Sequence, residues 1–400
     1  MDNLRVIVIG SNPATKLSLI RCVGAIGDCR VTVVSMVHGL SVKPHRSYDT
    51  YSKYVDRYFY AKKYDADGLA SLLLEKCRIE RQKPIIFSVD DDSACLIDTI
   101  QDRLRDHFTF SHISGRPGAI AELMDKTKQK KLAGESGFCV AESWILDYID
   151  GKYRIPEGIK YPCYVKGLHS YHTAKRYQKK CSSEQELKEC LEVMAREAPY
   201  PMLAEEFLEI DKEYGVMGYS DAEKVILPGI VELVDCGYGN DRGVAPYGWV
   251  NDFGLNEALK PKIEQLMRHL QLSGLFNIDF VESKGKWYFV EVNLRYAAYG
   301  YAVCKAGVNL PAFQIYNALS KDDSKLPTQV KNGFRYVNEK VAFDDVMGGY
   351  RSLKQYRRMI KNADCRLIRQ DDDLQPWCQF RNRTIKTYIK KRIQQTIKYN

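Results

Sequence analysis

Apolar runs of strand length alternate with helical patterns over the first 115 residues, and this alternation constrains the fold more than any other feature. The runs lie at residues 4–9, 31–35 and 84–89, and the helical patterns at 17–23, 66–79 and 93–104. The first run is rich in β-branched residues and is closed by Gly10-Ser11-Asn12, as expected for a strand that turns into a helix. The pattern predicts a parallel, doubly wound sheet for this part of the chain.

A different pattern follows residue 115. A helical segment is predicted at 118–136, followed by short strands at 163–166 and 202–207 with a helix between them at 183–196. Three strands of an antiparallel sheet are then predicted at 225–234, 277–282 and 287–292. The polar sequence Ser283-Lys284-Gly285-Lys286 predicts a tight hairpin between the last two strands. From about residue 321 the pattern weakens, and the chain ends in a basic helix.

Composition indicates an ordinary globular enzyme of two or three domains, with 45% hydrophobic and 28% charged residues in 400. The first residues carry no basic leader or small-residue cleavage site, so no signal peptide is expected. The apolar stretch at 225–234 falls short of the roughly 20 residues that a spanning helix needs, so the protein is expected to be soluble. Twelve cysteines occur singly without a C-x-x-C pair, which favours reduced thiols in the cytoplasm.

The net charge of +9 is concentrated at the end of the chain. Residues 379–400 contain seven basic residues and no acid, so the other 378 residues carry only +2. A nearly neutral body argues against nucleic acid as the main partner.

The strongest cluster of functional side chains is predicted at the hairpin. Asp279 lies on its first strand, and Glu291, Asn293 and Arg295 alternate along and just beyond its second. Because alternate residues of a strand share a face, the acids and the amide are expected side by side. Such a hard-oxygen set suits magnesium and polyphosphate. The alternative is a solvated strand edge of alternating polar residues.

Further candidates lie upstream of the hairpin. Lys166 ends an apolar strand, and Lys126 begins the linking helix. Both could bind nucleotide phosphates from a cleft between two lobes. The alternative is that each is a surface residue, as a single lysine most often is. Residues 203–208 resemble a strand running into a connector, whose backbone could pair with an adenine edge while Glu213 takes ribose hydroxyls. An ordinary strand with an acidic end explains the same residues.

The order of these motifs resembles the ATP-grasp superfamily over roughly residues 1–320. The resemblance implies a Rossmann-like domain at 1–115, an ATP-grasp domain at 116–320 whose small lobe ends at about 208, and a C-terminal region at 321–400. The fold class is therefore α/β plus α+β. The implied cofactors are ATP and magnesium, or manganese in its place.

The resemblance also implies a role for each matching residue. Lys126 and Lys166 contact phosphates, Arg295 stabilises the transferred phosphoryl group, and Lys166 and Arg295 are the catalytic residues. The nucleotide is also bound by Glu205, Glu206, Phe207, Leu208 and Glu213. The metal is bound by Asp279, Glu291 and Asn293. One departure is a bulky lid at 167–175, where the family commonly has a glycine-rich loop.

Within the superfamily, the chain is similar to the carboxylate-amine ligase group, which includes D-aspartate ligases and carbamoyl-phosphate-synthase-like proteins. The similarity rests on Ser52-Lys53-Tyr54, on Asp90-Asp91-Asp92 after the strand at 84–89, and on residues 306–311. Asp90 and Asp91 lie at the carboxyl end of a parallel strand and could hold a substrate ammonium. A helix N-cap equally explains Asp92, and Arg242 could bind a substrate carboxylate.

Three functions stay open at this point. The first is a ligase that forms an acyl phosphate and transfers it to an amine, with small-molecule substrates. The second is a bicarbonate-activating enzyme of carbamoyl-phosphate type, and the third is a nucleotide-binding module without turnover. The basic tail has isoleucine at every fourth position from 385 to 397, which predicts an amphipathic helix. This helix either docks on the body of the protein, docks on a sister subunit in a homodimer, or contacts an anionic membrane.

Overall fold

The computed structural model describes residues 4–38, 46–80, 82–169, 178–197, 200–236 and 245–398, with side chains up to residue 386. Its N-terminal elements are β1 (Leu4–Gly10), α1 (Pro13–Gly24), β2 (Cys29–Val37), β3 (Val55–Lys62), α2 (Ala66–Lys76), β4 (Ile85–Ser88), α3 (Asp91–Thr99), α4 (Gln101–Leu104) and β5 (Thr109–Phe110). The strands pair in parallel in the order β3-β2-β1-β4-β5. The predicted doubly wound sheet is therefore confirmed.

The predicted linking helix at 118–136 is interrupted. It consists of α5 (Ala119–Glu122) and α6 (Lys126–Glu135), preceded by the short strand β6 (His112–Ile113). Asp125 breaks the helix because its backbone is extended and its side chain accepts hydrogen bonds from the N–H groups of Thr127 and Lys128. The break places Lys126 at the first helical position of α6.

The small lobe is a five-stranded antiparallel sheet with one covering helix. Its elements are β8 (Ser143–Ile149), β9 (Lys152–Arg154), β10 (Cys163–Gly167), β11 (Lys179–Cys181), α7 (Glu184–Glu197) and β12 (Met202–Glu206), with strand order β11-β10-β12-β8-β9. Leu187 and Met194 of α7 pack against Val165 and Met202 of the sheet. This lobe therefore has a core of its own.

The large lobe is built on a ten-stranded sheet that β6 joins. The other strands are β7 (Cys139–Val140), β13 (Lys212–Asp221), β14 (Val225–Ile226), β15 (Ile230–Val234), β16 (Tyr247–Asn251), β17 (Leu272–Ser283), β18 (Lys286–Asn293), β19 (Phe334–Val337) and β20 (Cys365–Arg366). The predicted strand at 225–234 is thus two strands, because Pro228 and Gly229 interrupt it. The predicted hairpin joins β17 to β18 through Lys284 and Gly285, whose φ angles are 51° and 73°.

Six helices complete the described chain: α8 (Leu259–Leu270), α9 (Gly300–Lys305), α10 (Leu310–Ala318), α11 (Glu339–Met347), α12 (Leu353–Asn362) and α13 (Gln375–Lys398). β19 and β20 extend the large sheet, so the region after residue 321 shares that sheet. The predicted basic helix is α13. Phe380 anchors it by an edge contact with Tyr48 (ring centroids 5.5 Å apart), whereas Ile385 is exposed.

One continuous core joins the N-terminal sheet to the large lobe. It contains Leu19 and Phe87 from the first domain together with Met217 and Phe313 from the large lobe. Tyr296 is buried between them and has its hydroxyl 3.0 Å from Ser18 Oγ. These two parts therefore pack as one body.

All twelve cysteines are free thiols in this structure. Among the described residues, no helix has both the length and the apolar character needed to cross a membrane.

Candidate active site

A cleft of about 440 Å³ lies between the small and large lobes. It collects most of the predicted site residues on its walls: Asp91, Lys126, Lys166, Glu205, Glu206, Phe207, Leu208, Glu213, Asp279, Glu291 and Arg295. Residues from the predicted phosphate-binding, adenine-binding, ribose-binding and metal-binding motifs therefore meet in one cavity.

The two predicted metal-binding carboxylates are cross-strand neighbours on the large lobe. Asp279 of β17 pairs with Glu291 of β18, and the register shifts by a bulge immediately after Asp279. The carboxylate of Asp279 accepts hydrogen bonds from Asn277 Nδ2 at 2.8 Å and Asn293 Nδ2 at 2.9 Å. Glu291 Oε2 lies 3.7 Å from Lys126 Nζ. The acids are thus fixed by an amide pair on one side and a lysine on the other.

Asn293, the third predicted metal ligand, does not line the cleft. It is 2% exposed, its amide nitrogen donates to Asp279, and its oxygen accepts from Arg295 Nη2 at 3.2 Å. In this arrangement Asn293 positions its two neighbours, and its predicted role as a ligand stays a prediction.

Arg295 reaches from the large lobe to the N-terminal domain. Its Nε donates to Asp91 Oδ1 at 2.8 Å, so one of the predicted substrate residues forms an ion pair with the predicted catalytic arginine. Burial would lower the pKa of Arg295, but Asp91, Asp279 and Glu291 together raise it. The guanidinium is therefore a permanent cation at the junction of two domains.

Glu205 lies between two lysines, one of which the sequence analysis missed. Its carboxylate is 2.8 Å from Lys166 Nζ and 2.6 Å from Lys130 Nζ, and all three side chains are about nine-tenths buried. Lys130 also donates to the carbonyl oxygen of Ala141 at 3.0 Å. The sequence signal for Lys130 was its position one turn after Lys126 on the same helix, which places both on one face.

Burial and charge act in opposite directions on these groups. Burial would raise the pKa of Glu205, but the two lysines hold it below its ordinary value. Burial lowers the pKa values of Lys126 and Lys130, and Lys166 adds repulsion to both, only partly offset by Glu291 and Glu205. The charged forms of Lys126 and Lys130 are therefore disfavoured in the cleft, and an anionic ligand beside them would favour those forms.

The predicted adenine connector begins at the end of β12. The N–H of Glu206 donates to the carbonyl oxygen of Glu142 at 2.9 Å, and the N–H of Phe207 donates to Pro162 at 3.2 Å. Lys180 Nζ lies 4.1 Å from the centroid of the Phe207 ring. The connector is thus held on both sides by neighbouring strands while Phe207 and Leu208 line the cleft.

Asp90, the other predicted substrate aspartate, does not line the cleft. Asp90 is the N-cap of α3 and accepts from Ser11 N at 2.6 Å and Ser93 N at 3.0 Å, so the cap is Asp90 and the explanation of Asp92 as a cap was wrong. Burial would raise the pKa of Asp90, but these hydrogen bonds lower it. Arg242 and lid residues 170–177 lie outside the described residues, whereas His169 lines the cleft.

The donor set fits a magnesium ion that keeps most of its ligands from water and phosphate. Asp279 and Glu291 supply two adjacent carboxylates, and hard oxygen ligands of this kind are what magnesium prefers. Within the described ranges, no group of three or more His, Cys, Asp or Glu side chains is placed to hold a metal. These described residues therefore do not form a metal site in which the protein supplies all the ligands.

The two lobes and the cleft between them have the ATP-grasp fold, which the resemblance in the sequence implied. Residues 245–342, about a quarter of the chain, match the family described as ATP-grasp in the biosynthetic pathway with Ter operon.

Known proteins of this fold resemble the chain over different lengths. The carbamoyl phosphate synthase large chain of Hyperthermus butylicus is 30% identical over 151 residues, which is 37% of this chain and 14% of that protein. Among solved structures, N5-carboxyaminoimidazole synthetase from Staphylococcus aureus, complexed with ADP, has a TM-score of 0.63 at 15% identity and covers 88% of this chain and 87% of its own. L-amino acid ligase from Bacillus licheniformis has a TM-score of 0.58 at 14% identity and covers 82% and 78%. At these identities the structural likeness establishes the fold.

Proposed function

We propose that the chain is an ATP-dependent carboxylate-amine ligase that activates a carboxylate as an acyl phosphate. The observation that carries this proposal is the meeting of three buried lysines and Arg295 with a pair of carboxylates in one 440 Å³ cleft. Cations on one wall suit the phosphates of ATP, and the acids on the other suit its metal ion. The likeness to ligases that share the fold supports the same conclusion.

In the proposed complex, the nucleotide lies along the connector. The adenine edge would use the carbonyl oxygen of Glu206, since its N–H is already donated to Glu142, and the backbone of Leu208. Glu213 would accept from the ribose hydroxyls. Lys126 and Lys166 would bind the phosphates, with Lys130 holding Glu205 beside them.

Magnesium, or manganese in its place, would be held by Asp279 and Glu291. When bound, the ion would neutralise charge on the phosphate oxygens. Asn293 would keep Asp279 oriented through the 2.9 Å hydrogen bond, and Lys126 would balance Glu291.

The reaction would proceed in two displacements. The substrate carboxylate attacks the γ-phosphorus of ATP, the bond to the bridging oxygen breaks, and ADP leaves. An amine then attacks the acyl carbon, loses a proton, and releases inorganic phosphate. Arg295 would stabilise the negative charge that develops in both steps, because its guanidinium is fixed by Asp91 and Asn293. Asp91 and Arg242 are the proposed contacts of the substrates.

A bicarbonate-activating reaction is the second candidate, favoured by the match to a carbamoyl phosphate synthase large chain. The chain spans about one seventh of that relative's length, so the match concerns one segment of a larger enzyme. Bicarbonate-dependent phosphate release without any other carboxylate would identify this reaction.

A phosphate-release screen with magnesium-ATP, across amino acids, hydroxy acids and amines, tests the proposal. We expect one acid and one amine to raise release together when neither does so alone. The Glu291→Gln variant is the matched control, since it keeps the size of the side chain and removes its charge. If no pair exceeds the rate of that variant although ATP binds, the chain is a nucleotide-binding module and the ligase proposal fails.

The setting of the reaction is also proposed. We expect cytoplasmic action, a view supported by the twelve free thiols. Membrane contact and a homodimer through α13 stay predictions.

A further inference from the structure

A buried tyrosine, Tyr299, is connected to the carboxylate of Asp279 by hydrogen bonds. Tyr299 is the N-cap of α9 and is 8% exposed, and its hydroxyl donates to Asn277 Oδ1. Asn277 of β17 is 3% exposed, and its Nδ2 donates to Asp279 Oδ1 at 2.8 Å. Asp279 lines the cleft, whereas the described lining includes neither Asn277 nor Tyr299. A chain of two hydrogen bonds therefore reaches the cleft from behind.

The direction of this chain follows from the chemistry of its ends. An ionised carboxylate can only accept hydrogen bonds, so the amide nitrogen of Asn277 faces Asp279. The amide oxygen then faces Tyr299, whose hydroxyl has to donate. Burial raises the pKa of Tyr299 and the charge of Asp279 raises it further, so the hydroxyl keeps its proton. Tyr299 therefore fixes which way the amide of Asn277 points.

The neighbouring strand makes room for the tyrosine at one glycine. Gly215 of β13 is the cross-strand neighbour of Asp279. A Cβ atom at position 215 would overlap the hydroxyl oxygen of Tyr299 and would lie 2.8 Å from its Cζ. Glycine in a strand often marks a place where another group approaches the backbone closely. Any other residue at position 215 would therefore displace the tyrosine ring from Asn277.

A similar pair holds the other oxygen of the same carboxylate. Asn293 Nδ2 donates to Asp279 Oδ2 at 2.9 Å, and the amide oxygen of Asn293 accepts from Arg295 Nη2 at 3.2 Å. Each oxygen of Asp279 thus receives an amide N–H, and a further donor holds the oxygen of each amide. Arg295 lines the cleft, so Tyr299 is the donor that lies outside it.

We propose that Tyr299 is a positioning residue that orients Asp279 for the metal ion through Asn277. The inference rests on the proposed function, in which Asp279 binds the metal ion of ATP. Removing a group that orients a metal-binding side chain typically lowers metal affinity about 10- to 100-fold. Tyr299 therefore strengthens binding of the metal-nucleotide complex and contributes nothing to binding of the nucleotide alone.

The test compares the binding of a non-hydrolysable ATP analogue, measured by calorimetry, with manganese present and with EDTA present. Tyr299→Phe should weaken binding about tenfold with manganese and leave it unchanged with EDTA. Tyr336→Phe is the matched control, since it removes the hydroxyl of another buried tyrosine, whose ring centroid is 6.5 Å from that of Tyr299. This control should leave both affinities unchanged.

A second variant shows whether Tyr299 acts through Asn277. Asn277→Ala should cause the same manganese-dependent loss, and the double variant should bind no more weakly than Asn277→Ala alone, because both changes break one chain. Melting temperatures without nucleotide check that each variant folds. If the two losses add, or if Tyr299→Phe weakens binding equally with manganese and with EDTA, the tyrosine has a general structural role and the inference is wrong.

Asp279→Asn separates this inference from the proposed function. Loss of the manganese effect in Asp279→Asn but not in Tyr299→Phe would overturn the inference and leave the metal assignment intact. A full manganese effect in Asp279→Asn would refute the metal assignment itself, and the inference with it.

Discussion

Replacing Glu205 with glutamine should destabilise the protein and at the same time increase its stabilisation by ATP. The change keeps the shape of the side chain but removes the charge between Lys130 and Lys166, which are 7% exposed. Exposed ion pairs contribute about 0–1 kcal/mol, whereas removing one partner of a buried pair costs about 3–5 kcal/mol. Since these three side chains are about nine-tenths buried, we expect a loss of about 3 kcal/mol at pH 7.

The pH dependence has a definite sign. The folded-state pKa of Glu205 is lowered, so its contribution is present above the unfolded pKa and is lost as pH falls through the folded value. The destabilisation caused by Glu205→Gln should therefore shrink in acid.

Chemical denaturation measures the loss, and thermal shifts with magnesium-ATP measure the second effect. ATP phosphates would supply the missing negative charge, so the nucleotide should raise the melting temperature of Glu205→Gln more than that of the wild type. Glu142→Gln is the matched control, because Glu142 pairs with Lys160 at the surface. If Glu205→Gln costs no more than this control, the buried triad does not stabilise the fold as argued.

Other perturbations have equally direct readouts. Asp279→Asn and Glu291→Gln should each reduce ligase turnover on the order of 10²-fold or more with the fold intact, and near-normal phosphate release would refute the metal assignment. Burial raises the pKa of Asp98 from 3.8 to about 6, so the folded state retains a proton that the unfolded state loses. Stability should fall by up to about 3 kcal/mol as pH rises through that window, and Asp98→Asn should abolish this fall in denaturation curves. Deleting residues 381–400 keeps the anchor Phe380 and removes the rest of α13. Cosedimentation with anionic liposomes and the mass in solution are then compared between the full chain and the truncated chain. Equal results for the two chains would exclude membrane contact and self-association through α13.

The sequence predicted the hairpin site because its information is local. Strand alternation alone places Asp279, Glu291 and Asn293 on neighbouring positions once the turn at Lys284 and Gly285 is recognised. The same reasoning could not show that Asn293 is covered, because its burial depends on Arg295 and on a neighbouring strand.

Lys130 was missed because its partner is distant in the chain. It lies in a lysine-rich helix that resembles a solvated surface, and only the packing of β12 brings Glu205 to within 2.6 Å of it. The cap at Asp90 was missed for a related reason. Three successive aspartates carry equal local signals, and the contact with Ser11 on another loop distinguishes them.

The shared core of the N-terminal sheet and the large lobe limits how the cleft can widen. Because those parts are one packed body and the small lobe has its own core, a wider cleft would require movement of the small lobe. Helix α6 is bonded to both lobes, since Gln129 exchanges two hydrogen bonds with the backbone of Val292 and the N–H of Lys126 donates to the carbonyl oxygen of Leu168 at 3.0 Å. The ion pair of Lys130 with Glu205 joins α6 to β12 of the small lobe, so a movement of that lobe away from α6 would have to break it.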